Sequence, residues 1–176
     1  LPLFRQKRLL TDNELTGAEK GMDIKDDLDA WAQSMQSSID AQIKEQFGQK
    51  VFDRWQNPVF FGVLENPDGM ARLTGQCGDT IEMFLSIRDD LVEKAFFNTD
   101  GCMASVVAGS AAAELARGKT LDSAADLNDQ AVLDLLGGLP EGHVHCAHLA
   151  ASAVRAAVDD YFAKTLGKSR GDKQAK

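Results

Sequence analysis

The sequence predicts an α+β fold in which a small antiparallel sheet is followed by helices packed on it. Between positions 59 and 98, short alternating apolar runs are separated by tight turn clusters, the pattern of consecutive antiparallel strands. After position 102 the apolar residues recur at steps of three and four and alanine dominates, as in packed helices. Strands come first and helices afterwards, which separates this arrangement from an alternating parallel α/β fold.

Taken in order, residues 1–21 are mixed and polar with no steady period. From Asp23 to about Phe47 the spacing predicts a helix, with Leu28, Trp31, Met35, Ile39 and Ile43 on one face. Asp23, Asp26, Asp27 and Asp29 crowd its start, where the helix dipole favours negative charge. A short helix from Gln49 to Trp55 follows and stops near Asn57-Pro58, because the residue before proline is pushed out of the helical region. Strands are expected at Val59–Leu64 and Ala71–Gly75, flanking Asn66-Pro67-Asp68-Gly69 as a hairpin turn. Thr80–Ile87 alternates, with Ile81, Met83, Leu85 and Ile87 on one side and Thr80, Glu82 and Ser86 on the other. Leu91–Asn98 is the next strand, after an Arg88-Asp89-Asp90 turn. Cys102–Arg117 reads as a buried helix closed by Gly118, since it is apolar on most of its surface. Asn128–Leu136 and His145–Ala163 are the remaining helices. Residues 1–46 are expected to be an N-terminal extension, helical from about 23, and 47–165 the folded domain. Residues 166–176 are expected to be a basic, disordered tail.

With 176 residues and 44% hydrophobic content, the chain can bury a core of its own. Its net charge of −8 repels phosphate backbones and argues against general nucleic-acid binding. No stretch is long and apolar enough for a membrane span. The opening residues mix Arg5, Lys7 and Arg8 with Asp12 and Glu14 and lack the apolar block of a secretory signal. The chain opens on Leu1, so a start upstream is expected, and the protein is read as soluble and cytoplasmic.

Cys77, Cys102 and Cys146 lie 25 and 44 positions apart. Their odd number argues against a disulfide framework, and their spacing lacks the paired knuckles of a zinc finger. Taken singly, each also fits a small buried apolar side chain. Their contexts are alike, however. Cys77 lies in Gly75-Gln76-Cys77-Gly78-Asp79, Cys102 follows Thr99-Asp100-Gly101 and opens a helix, and Cys146 follows His145 and opens another. A helix N-terminus favours the thiolate, so at two of the three sulfurs a thiolate is expected to form readily. Asp79 adds a carboxylate, although a turn or strand-cap role suits it equally. All three histidines fall in His143-Val144-His145-Cys146-Ala147-His148. His145 is singled out because it adjoins Cys146, His143 is open between ligand and solvated residue, and His148 reads as solvated. Three thiolates with one carboxylate or imidazole suit a tetrahedral zinc or the edge of a small iron–sulfur cluster. Spacing does not choose between them.

From about Gln49 to Tyr161 the chain resembles the iron–sulfur cluster assembly scaffolds of the IscU type, which also form the N-terminal domain of NifU. The resemblance is carried by Lys50-Val51-Phe52-Asp53-Arg54-Trp55-Gln56-Asn57-Pro58, Gly62, Gly75-Gln76-Cys77-Gly78-Asp79 and Phe97-Asn98-Thr99-Asp100-Gly101-Cys102. Ser105, Ser110, Gly118-Lys119, Leu139-Pro140, His145-Cys146 and Ala156–Tyr161 complete it. It implies a three-stranded antiparallel sheet with helices packed on it. It implies a non-enzymatic scaffold that receives sulfur from a cysteine desulfurase, binds iron and assembles a labile [2Fe–2S] cluster for delivery to apo iron–sulfur acceptor proteins. It further implies Cys77, Cys102 and Cys146 as sulfur ligands, with Asp79 or His145 completing the set and zinc as an occupant of isolated protein.

The chain departs from the family branch served by a dedicated Hsp70-type chaperone, which carries Leu-Pro-Pro-Val-Lys where this sequence has Leu139-Pro140-Glu141-Gly142-His143. That weighs against such a partner. The zinc-binding SufU-type branch carries an insertion between its second and third cysteines, for which a 44-residue separation leaves no room. A SufU-type zinc-binding sulfur acceptor is the alternative reading, and a Cys–His hydrolase a remote one. The extension has three roles open to it: docking on the core, mediating a homodimer, or serving as a loose arm.

Overall fold

The computed structural model describes residues 24–174, with side chains described from 25 to 166. The expectations for residues 1–23 lie outside the described residues. The chain divides into two units at the Ile39–Asp40 bond. That bond falls within the first helix, α1 (Ile24–Phe47). In the first unit the residues expected to form an apolar face, Leu28, Trp31, Met35 and Ile39, are all exposed. Their periodicity is real, but it does not correspond to a buried face within that unit.

The second unit continues through α2 (Gln49–Gln56), β1 (Gly69–Thr74), β2 (Thr80–Arg88), β3 (Leu91–Thr99), α3 (Met103–Ala116), α4 (Leu121–Ala125) and α5 (Asp129–Leu136). A single 3₁₀ turn, Glu141–His143, leads into α6 (Val144–Gln174). The segment expected as a tail is thus helical as far as Gln174. Among the described residues, no helix is long and apolar enough to cross a membrane.

The sheet is a three-stranded antiparallel meander with β2 in the middle. Gly69 pairs with Leu85 and Thr74 with Thr80, while Ile81 pairs with Thr99 and Leu85 with Ala95. Asp89 and Asp90 make the two-residue turn between β2 and β3, both at positive φ (51° and 59°). Two left-handed residues give the turn a twist that matches the flanking strands, and aspartate tolerates that region better than most residues.

The expected strand at Val59–Leu64 does not form. Phe60 (φ 63°) and Gly62 (φ 147°) interrupt the extended backbone. Phe61 instead makes an isolated parallel bridge to Phe97 of β3, with the amide of Gly62 donating to the Phe97 carbonyl (2.8 Å). The Asn66–Gly69 turn therefore leads into β1 and does not join two paired strands. Helix α4 was not expected; it is short but capped by Thr120, whose hydroxyl accepts from the Ser123 amide (3.3 Å). Helix α5 is capped at both ends: the Asn128 side chain accepts from the Ala131 amide (2.9 Å), and Gly137 at φ 81° ends the helix.

One face of the sheet forms the core. Ile81, Met83 and Leu85 of β2 and Ala95 and Phe97 of β3 are fully buried. They pack with the small residues of α3 (Ala104, Val107, Ala108, Ala111, Ala112) and of α6 (Ala147, Ala150, Val154, Ala157, Val158). Small side chains let both helices lie close on the sheet. Any Cβ at Gly109 of α3 would collide with the Phe97 ring, and any Cβ at Gly69 of β1 with the Ala157 carbonyl of α6. Arg54 of α2 adds a polar tie, reaching Ser110 Oγ (3.1 Å) and Glu114 (2.6 Å) on α3. This packing fixes the N-terminal ends of α3 and α6, and the position of Phe97 at its centre makes it sensitive to truncation. Phe97→Ala is expected to reduce stability by about 3–5 kcal/mol with an unchanged urea m-value, measured by equilibrium unfolding.

Candidate metal centre

The residues with metal-binding chemistry sit where the β1–β2 loop meets the starts of α3 and α6. Cys77 is exposed on that loop, which is closed by the Gly75 amide donating to the Asp79 carbonyl (2.9 Å). Cys102 is the N-cap residue of α3 and exposed. Cys146 lies in the first turn of α6 and is fully buried.

The approach to Cys102 is built from backbone and threonine hydrogen bonds. The Thr80 amide donates to Asp100 Oδ1 (2.7 Å), Thr99 Oγ1 donates to the Thr80 carbonyl (2.6 Å), and the Gly101 amide donates to Thr99 Oγ1 (3.0 Å). These bonds bring the end of β3 back beside the start of β2, so Asp79 stands over the first turn of α3. Its Oδ2 accepts from the Cys102 amide (3.1 Å) and from the Ser105 hydroxyl (2.6 Å). A Cβ at Gly101 would lie 2.6 Å from that oxygen and 2.7 Å from Ser105 Cβ. Only glycine permits this approach.

Ser105 is fully buried, and its oxygen also lies 3.4 Å from Cys146 Sγ. One hydroxyl thus links the carboxylate on the loop to the sulfur on α6. The donor atoms of Cys102, Cys146 and His143 lie within 4.8 Å of one another. His143 ends the 3₁₀ turn, half-buried, with its ring 5.2 Å from that of Phe47. His145 is exposed and outside this group, although its charge favours the ionised form of Asp79. Cys77 also stands outside the three, but close enough for its charge to oppose ionisation of Cys146. His148 is exposed, with Nδ1 3.8 Å from Asp129 Oδ2.

The electrostatics of the two anchored groups run in opposite directions. The hydrogen bond from Ser105, followed by that from the Cys102 amide, holds Asp79 below the ordinary carboxylate value. Burial pushes the Cys146 thiol up to about 11, and the neighbouring Cys102, Cys77 and Asp79 add to the rise. This corrects the expectation that a helix start makes a thiolate cheap at Cys146. Complete removal from water outweighs the helix dipole there. Ligation by Cys146 therefore displaces a proton.

Thiolate sulfur and imidazole nitrogen are the donors that soft transition metals prefer, and this set fits such a metal. The NifU-like N-terminal domain family matches residues 46–168. The chain belongs to that family. It is 40% identical over 119 residues to the iron–sulfur cluster assembly scaffold protein IscU 1 of Archaeoglobus fulgidus, covering 67% of this chain and 78% of that protein. It is 32% identical over 128 residues to the IscU scaffold protein of Escherichia coli K12, covering 69% of this chain and 98% of that one. The crystal structure of a NifU-like N-terminal protein from Brucella abortus superposes with a TM-score of 0.54 at 22% identity, over 69% of this chain and 98% of that chain. At that identity the likeness speaks for the fold. The IscU/NifU-type family of the sequence resemblance and its three-stranded α+β architecture are thereby established.

In the sequence Ser105 stands out only as part of the family resemblance, and His143 is open between ligand and solvated residue. The link between Ser105 and Asp79 is testable through pH. A carboxylate whose folded pKa is depressed contributes stability above its unfolded value and loses it as the pH falls through the folded value. Ser105→Ala is thus expected to cost about 1–2 kcal/mol at neutral pH. The difference should shrink as the pH falls below the ordinary value of 3.8. Urea midpoints measured from pH 7 to pH 3 would show this; a gap independent of pH would reduce the hydroxyl to packing.

Proposed function

We propose that this NifU-like domain is a scaffold for iron–sulfur cluster assembly. In this reading it takes persulfide sulfur from a cysteine desulfurase, an external electron donor reduces that sulfur to sulfide, and the chain holds the sulfide with iron as a labile [2Fe–2S] cluster until an apo-protein accepts it. The observation that carries the reading is the convergence of groups from three separate parts of the chain: Asp79 from a loop, Cys102 at the start of α3, and Cys146 at the start of α6. The scaffold names of the relatives in Archaeoglobus fulgidus and Escherichia coli support it.

The iron and the sulfide are cargo, and the chain's part is to receive, hold and release them. Cys77 and Cys102 are exposed and accessible to a sulfur donor on another protein, while Cys146 is the buried anchor. We assign Cys77, Cys102 and Cys146 as the sulfur ligands, with Asp79 or His145 completing the set. Asp79 is suited to a weak, exchangeable position, because one of its two oxygens is already committed to the Cys102 amide and the Ser105 hydroxyl. A set with fewer than four thiolates holds a cluster less firmly than the four-cysteine sites of ferredoxins. Three free thiols suit a reducing compartment, and the cytoplasm is the proposed location. A Hsp70-type chaperone is not part of this reading.

The grouping of Cys102, His143 and Cys146 favours one second reading, a zinc-holding sulfur acceptor of the SufU type. Anaerobic reconstitution with iron and sulfide separates the two. The scaffold is expected to develop visible charge-transfer absorption with matching iron and acid-labile sulfide, and a colourless zinc protein would favour the second reading. Cys77→Ser, Cys102→Ser and Cys146→Ser are each expected to lose most of the cluster. Full retention in any one of them would remove that residue from the ligand set. Asp79→Ala is expected to slow transfer to an apo-ferredoxin, followed by circular dichroism in the visible; faster transfer would reverse its assigned role.

A further inference from the structure

From Lys25 to Ile39 every residue of α1 is exposed. An isolated helix of about 15 residues is marginal in water even when rich in alanine, because tertiary packing supplies most helix stability. This stretch carries three aspartates, three serines and Trp31, all weaker helix formers than alanine. It also holds four large apolar side chains out in solvent: Leu28, Trp31, Met35 and Ile39 are between 45% and 64% exposed. At about 100° per residue the four fall within about 80° of one another around the axis. They form one continuous strip, which marks an interaction surface. Further along, Ile43 and Phe47 swing off this line and are half-buried, while Gln42 and Gln46 continue it and are exposed.

We infer that this strip pairs with the same strip of a second copy of the chain, antiparallel, about a two-fold axis at Met35. In such a contact, residues equally far before and after Met35 lie level across the pair. Trp31 then lies level with Ile39, Leu28 with Gln42, and Met35 with its own copy. Lys25 comes level with Glu45 and Asp26 with Lys44, and no two like charges share a level. The small Ala32 and Ser38, level with each other on the flanks of the strip, let the two backbones approach. A parallel pair would instead set every charge beside its own copy, Asp26 against Asp26 and Lys44 against Lys44, with the helix dipoles aligned. From Ala30 to Ile39 there is no charged residue, so two chains of net charge −8 meet there without like charges at the contact. A lipid surface fits less well. Helices that lie on membranes carry lysine and arginine on their polar face, whereas α1 has five acidic residues outside the strip and two basic ones. Four large side chains per copy fall short of the roughly 800 Å² per partner of a standard interface, so the pair is expected to dissociate at about 10–100 µM. Helix α1 lies almost wholly ahead of the family domain, and the pairing is independent of what the metal centre binds.

The test is sedimentation equilibrium of the full chain from about 1 to about 300 µM, a range that brackets the expected midpoint. A chelator and a reductant are present, so that neither metal nor disulfide links two copies. The mass is expected to rise from that of one chain toward that of two, with tryptophan emission moving to the blue as Trp31 leaves water. Met35→Glu sets two carboxylates face to face at the axis and Met35→Lys two ammonium groups; each is expected to weaken association at least about tenfold. An equal mixture of the two variants is expected to recover to within about threefold of the parent, because each glutamate then meets a lysine. That recovery also shows that neither variant lost association by misfolding. Ser37→Glu, on the opposite side of the helix, should stay within about twofold of the parent. A chain that is monomeric at every concentration overturns the inference and assigns the strip to a different protein or to the rest of its own chain. Undiminished association in both Met35 variants overturns it too, as does a mixture no tighter than its components or an equal loss in Ser37→Glu.

Discussion

The carboxylate of Asp79 holds the functional end of this molecule together. Its Oδ2 takes a proton donor from the backbone at the start of α3 and another from the buried Ser105 hydroxyl, and Ser105 in turn touches the sulfur on α6. A loop, two helix starts and a sulfur are thereby brought into one place by a single oxygen. The glycine at position 101 makes room for it. Beneath this arrangement, the alanine-rich faces of α3 and α6 lie close on the sheet and leave the two helix starts little freedom to separate.

Two opposing effects then set the character of the sulfurs. A helix start attracts negative charge, and removal from water repels it. At Cys146 the second wins, and the thiol keeps its proton at neutral pH. Cys77 and Cys102 remain in contact with solvent. One buried sulfur that resists ionisation thus lies near two that face solvent.

Much of this was legible in the sequence. The alternation of Ile81, Met83 and Leu85 and the aspartate turn after Arg88 are local signals, and both appear in the fold. The convergence of the cysteine-bearing segments was legible only through shared motifs, because separations of 25 and 44 residues carry no direct geometric information. Val59–Leu64 looked like a strand because its residues are apolar and bulky, yet positive φ at Phe60 and Gly62 is set by its contact with β3, which lies far along the chain. The apolar stripe of α1 was legible as a period, but periodicity does not say what covers it, and Leu28, Trp31, Met35 and Ile39 are exposed. His143, left open in the sequence, has its donor atom within 4.8 Å of the sulfurs of Cys102 and Cys146. A histidine three residues before a cysteine at a helix start is a readable signal of that proximity.

The wide spacing of the three sulfurs along the chain has a mechanical consequence. An ion gripped by all of them would act as a detachable cross-link, closing segments of 25 and 44 residues at one knot. Cross-links over spans of that length restrict the unfolded chain far more than the folded one. Whatever occupied such a knot would therefore raise the folding stability of its holder, and its release would lower it again.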